Sequence, residues 1–145
     1  MTRTVLTVCL SIMLALPGSA DAGPLEDCLA SRNAGKYHEA VRFGEQAVNI
    51  DKGSMPAWYC LGDSWGQMGY VRPAVSALAN GLKVSKRDYD KMKIYYRIGE
   101  ILHDAANDPK GELEAWTQCA ALAIKVEDPQ TRITAVHQRA ILLSR

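Results

Sequence analysis

Apolar residues recur along this chain at the spacing of helices, and no segment reads as a run of alternating strand positions. Near the carboxyl end, "TRITAVHQRAILLSR" sets Ile133, Val136, Ala140 and Leu143 on one stripe of a short helix, predicted over 130–144. That stripe is expected to pack on whatever precedes it. In the middle, "WYCLGDSW" at 58 to 65 crowds two tryptophans, a leucine and a cysteine around Gly62 within about two helical turns. Glycine inside a helix costs about 1 kcal/mol against alanine, so Gly62 implies a second backbone passing close by.

Punctuation divides the helices. Gly35 and Gly69 stand where glycine closes a helix, and Pro73 falls in the first turn of the next one, where its missing N–H is tolerated. "EDPQ" at 127 to 130 marks another break. Comparing the chain with itself at a shift of 34 residues lays "CLASRNAGKYHEAVRFGEQAV" from Cys28 over "GDSWGQMGYVRPAVSALANGL" from Gly62, so that Gly35 meets Gly69 and Ala40 meets Ala74. A third copy, "YYRIGEIL" from Tyr95, repeats "WYCLGDSW" at a shift of 37, and its three extra residues are expected in the charged segment "KVSKRDYDKMK". Its second helix, "GELEAWTQCAALAI", puts Trp116 in a large-aromatic position, Cys119 in a small one, and Glu112 where alanine is expected.

A 34-residue period of paired helices, with Trp58, Leu61, Gly62, Trp65, Ala74 and Leu78 at the signature positions, resembles the tetratricopeptide repeat family. The resemblance implies an all-α solenoid of about three helix pairs, over approximately 23–54, 55–88 and 91–126, plus the C-terminal capping helix. The first copy departs most, with Pro24 and Asp27 at seam positions and Cys28 replacing the glycine. A degraded outer helix suits a terminal repeat, which faces water on one side.

Residues 1–22 belong to another category. "MTR", the uncharged run "TVLTVCLSIMLAL" and "PGSADA" read as a secretory signal peptide cleaved after Ala22, leaving a domain over 23–145 and placing it in the periplasm or outside the cell. The run is too short to cross a bilayer, so no stable membrane insertion is expected after cleavage. Cys9 sits too early, and behind the wrong residue, for lipid attachment. Of the remaining cysteines, Cys28, Cys60 and Cys119, an oxidising compartment permits one pair. Three buried free thiols are the plainer reading and a Cys28 to Cys60 bridge the alternative.

Composition changes the picture only by exclusion. A net charge of +1 gives no basic excess for nucleic acid. His38, His103 and His137 lie on separate helices without ligand spacing, so no metal or cofactor is expected. No cysteine has a neighbouring histidine to activate it, and no catalysis is expected. What remains is binding. The family resemblance implies a concave groove lined by the first helix of each repeat, here Arg32, Asn33, Tyr59, Asp63, Gln67, Lys93, Tyr96, Glu100, His103 and Asp104. Tyr59 and Tyr96 fall one repeat apart, as recognition residues would. Asp63, Glu100 and Asp104 lean the groove acidic and suggest a partner with basic character. Leu25 and Leu29 stand where a carboxylate-clamp groove would be polar, so that activity is not expected. The functional expectation is an exported adaptor or assembly factor that captures a partner peptide or helix, as part of a larger complex. A permanent structural subunit docking through convex or terminal surfaces is the alternative, and a cofactor-binding repeat protein a more distant one.

Overall fold

A computed structural model describes residues 22–105 and 108–144, so the leader expected over 1–22 lies outside it apart from Ala22. Seven helices and no strand occur among the described residues: α1 Pro24–Asn33, α2 Tyr37–Ile50, α3 Met55–Gln67, α4 Val71–Val84, α5 Asp88–Ala105, α6 Pro109–Lys125 and α7 Pro129–Leu143. The chain chemistry explains the boundaries. Proline opens α1, α6 and α7 and lies in the first turn of α3. Asp108 and Asp128, in the two segments read as breaks, turn their side chains onto the backbone N–H of Gly111 (2.9 Å) and Thr131 (3.0 Å) and so cap α6 and α7. Gly35 and Gly69 take φ values of +73° and +79° between paired helices, a conformation that side chains resist.

Helices pair in order, α1 with α2, α3 with α4 and α5 with α6, and α7 packs on α6 as α5 packs on α4. Helix α1 also touches α3, and α3 touches α5, whereas α2, α4 and α6 make no comparable contacts with one another. The first helices therefore form the inner layer of an all-α solenoid. Helix spacing is set at the glycine seam. A Cβ on Gly62 would lie 2.7 Å from Leu78 Cγ and 3.0 Å from the Ala74 carbonyl, and one on Gly99 2.6 Å from Trp116 Cε2. Leu78 and Trp116, both fully enclosed, fill the space that the absent side chains leave.

Three expectations are corrected. The extra residues of the third copy are not in a connecting segment: α5 starts at Asp88, ahead of the boundary expected at 91, and absorbs them as an added turn. Arg87 holds Asp90 there through two hydrogen bonds of 2.7 and 2.9 Å, favouring helix at the start of that turn. The three cysteines among the described residues are not all free thiols, because Cys28 of α1 is bonded to Cys60 of α3, and of the three only Cys119 is a buried thiol. Closing that 32-residue separation removes roughly 3 to 4 kcal/mol of unfolded-chain entropy. Finally, the apolar stripe of α7 does not pack on the last repeat. Ala135 is fully buried and Leu142 joins the α6 cluster, while Ile133, Val136 and Leu143 are 64%, 48% and 64% exposed.

The seam makes a direct prediction. Replacing Gly62 by alanine improves helix propensity by about 1 kcal/mol, but the Leu78 and Ala74 clash should outweigh it. A net loss of about 1 to 2 kcal/mol is expected in urea unfolding.

Candidate functional site

The inner helices present two recesses that share one wall. The first, about 190 Å³, is lined by Tyr59 of α3, Tyr89, Met92, Lys93 and Tyr96 of α5, and Asp128 and Thr131 at the start of α7. The second, about 200 Å³, runs on from Tyr96 along Arg97, Glu100, His103 and Asp104 to Trp116, with Thr134 and Gln138 of α7 opposite. Helix α7 is thus a wall of the groove as well as a cap, which its sequence did not reveal.

Of the ten groove residues expected from sequence, six line these recesses: Tyr59, Lys93, Tyr96, Glu100, His103 and Asp104. Asp63 lies beneath them. Its carboxylate accepts from Arg97 Nε at 2.5 Å and faces Arg32 Nε at 3.7 Å, while Arg97 Nη1 reaches Glu100 at 3.1 Å. These pairs run across α1, α3 and α5 and join consecutive repeats. They also correct the expected acidic lean, because Asp63 is neutralised from both sides. Asn33 and Gln67 are exposed near the ends of α1 and α3, and neither lines a recess.

Tyr59 is half-buried, with Lys93 Nζ 5.2 Å and the Arg32 guanidinium 5.9 Å from its ring centroid. Lys93 also stands 5.9 Å from the Tyr89 ring, and no carboxylate among the described residues lies within 4 Å of it. Cations over aromatic faces contribute about 0.5 to 1 kcal/mol each when exposed. Tyr96 meets Trp116 edge to face at 5.3 Å. Burial first, and then the Asp63 charge, push the Tyr59 phenol above its ordinary range. Burial and Glu100 do the same for Tyr96. Both therefore stay protonated and offer neutral hydrogen-bonding hydroxyls. For Arg97, burial works against the charge, but Asp63 and Glu100 outweigh it and hold the guanidinium pKa above its usual value.

Two features escaped the sequence reading. Tyr89 belongs to the added turn of α5, in a segment read as a connection. Glu112, anomalous in the repeat pattern, is buried and accepts from Trp116 Nε1 at 3.3 Å, with His103 Nδ1 at 2.8 Å from the same oxygen. His103 is therefore tied to α6 while it lines the second recess. Its signal was Glu112 itself, because a carboxylate in a seam needs a partner.

Chemically reactive groups do not converge here. No cluster of three or more His, Cys, Asp or Glu suited to a metal occurs among the described residues, and none of their helices is long and apolar enough to cross a membrane. Burial pushes the Cys119 thiol up to about 12. The arrangement offers contact area, neutral hydroxyls and one available ammonium, which is binding chemistry.

No protein-family model matches the chain, and no curated protein is found similar to it. Solved structures do resemble it. The structure of PcrH in complex with the chaperone-binding region of PopD superposes with a TM-score of 0.65 at 18% identity, covering 81% of this chain and 84% of that one. The Yersinia enterocolitica type III secretion translocator chaperone SycD gives 0.68 at 14% identity, covering 83% and 79%. At these identities the likeness establishes the helical-repeat fold.

Two outcomes follow. Asp63→Ala leaves Arg97 without its strongest partner and should lower stability by about 2 kcal/mol in urea. Combined with Arg97→Leu, it should cost less than the sum of the two single losses. Cys119 should resist iodoacetamide at pH 8 in the native protein and alkylate fully in denaturant, since the thiolate is the nucleophile.

Proposed function

We propose that this chain is a non-catalytic adaptor or chaperone-type module that captures a helix or extended segment of a partner protein in the groove between α3, α5 and α7. The observation that carries this is the convergence of Tyr59, Tyr89 and Tyr96 around Lys93 in a recess that continues past Tyr96 toward His103. Tyrosine supplies contact area and a hydrogen bond at low entropic cost, and such residues dominate recognition surfaces. Beneath them the Arg32, Asp63 and Arg97 pairs tie α1, α3 and α5 together, which reduces the ordering that opposes binding.

The similar PcrH structure holds the chaperone-binding region of PopD, and that analogy supports protein capture here. With Asp63 neutralised and Lys93 available, the first recess favours an apolar or aromatic anchor beside a carboxylate or carbonyl group. A uniformly basic segment does not fit it. The setting we infer is the cell envelope or the exterior. Its supports are the leader-like first 22 residues and the Cys28–Cys60 bond, which oxidising compartments sustain.

A pull-down from envelope extract with residues 23–145 should capture a partner. The Tyr59→Ala, Tyr96→Ala variant, shown to be folded by circular dichroism, should lose it, and Lys93→Glu should weaken it about tenfold. Equal capture by parent and both variants would place binding on another face.

A further inference from the structure

Among the described residues, four of the seven exposed large apolar side chains, Ile124, Ile133, Val136 and Leu143, lie on α7 or the end of α6. Ile133 and Val136, with Pro129, Ala140 and the flanking Arg132 and His137, line an open, mostly apolar trough of about 620 Å³ along the outer flank of α7, away from the groove; Ile124 and Leu143 are exposed but do not line it. The spacing of Ile133, Val136, Ala140 and Leu143 alternates three and four residues, as in the seam of a helix pair. Helices α1, α3 and α5 each carry a second helix of their own repeat. No helix among the described residues covers this flank of α7.

Charge selects the occupant. The positions beside such a seam decide which helix pairs with it, and here they hold Arg132, His137 and Arg139. Helix α7 contains no Asp or Glu. Glu127 and Asp128 stand only at its amino-terminal end, where Asp128 is committed to Thr131. The Thr131 hydrogen bonds hold the Asp128 carboxyl below its ordinary range, so it stays ionised as the cap of α7, and it does not line the trough. A second copy brought face to face would set arginine against arginine when antiparallel and against histidine or serine when parallel. Neither orientation offers an opposite charge.

We propose that the outer flank of α7 docks an acidic amphipathic helix from a partner protein, with leucine-like residues in the trough and glutamates against Arg132 and Arg139. This site is separate from the tyrosine-lined groove and stands or falls independently of it.

The test uses two synthetic helical peptides of about 20 residues with leucine at the seam positions. One carries glutamate beside the seam, the other lysine, and anisotropy follows binding to the parent protein. The glutamate peptide should bind about tenfold or more tightly than the lysine peptide, and more weakly in high salt. Val136→Asp should abolish binding without changing the circular dichroism, since Val136 is half exposed. Arg132→Glu, Arg139→Glu should reverse the preference, and Tyr59→Ala, Tyr96→Ala should leave it unchanged. Equal binding of the two peptides, or binding of neither, overturns the proposal. So does a dimer in sedimentation that Val136→Asp dissolves, which would make a second copy the occupant.

Discussion

Close approach of helices over glycine is the constraint on which the rest of the molecule depends. Where Leu78 closes on Gly62 and Trp116 on Gly99, paired helices approach too closely for a side chain to intervene. That approach fixes the tilt at which each inner helix presents its other face. Tyr59 and Tyr96, Asp63 and Glu100 occupy matching places because the seam behind them repeats. The floor of ion pairs follows from the same geometry: Asp63 and Arg97, 34 residues apart, meet only because successive inner helices are stacked in register. An adaptor surface of this kind is built from behind, by packing that never touches a partner.

Much of this was legible in the residues. A glycine among tryptophans, repeated 37 residues on as Gly99 and replaced 34 residues before by Cys28, declared the seam, and the small residues across from it declared the second helices. Legibility stopped where one helix must choose between neighbours. The stripe on α7 was correctly periodic, yet periodicity gives a face without saying what lies opposite. Small Ala135 won the contact with α6, because a small residue admits close packing, and the larger Ile133, Val136 and Leu143 were turned outward. The added turn of α5 was hidden by its charge, because "KRDYD" reads as linker until Arg87 and Asp90 are seen to pair within it. Asp63 was legible as acidic, but its neutralisation by Arg32 and Arg97 depends on contacts between repeats.

Groove and trough divide the chemistry of α7 between its two flanks. Thr131, Thr134 and Gln138 face the tyrosines as polar walls, while the opposite flank offers aliphatic area under a cationic rim. A single helix thereby separates a recess suited to an anchor side chain from a surface suited to a whole helix. The two sites differ in what they recognise, although they share one backbone.

The bond between Cys28 and Cys60 gives the array a direction. A solenoid opens from its ends, where a repeat has one neighbour instead of two. Helix α1 is the weakest element by sequence, with proline and aspartate in its seam, yet the bond fastens it to α3 across Ala40 of α2. Fraying at the amino-terminal end is thus tethered, and no such tether holds α7, whose only fully buried residue is Ala135. The amino-terminal pair is locked to the next by a covalent bond, whereas α7, the wall of the groove, is held against α6 by side-chain packing alone.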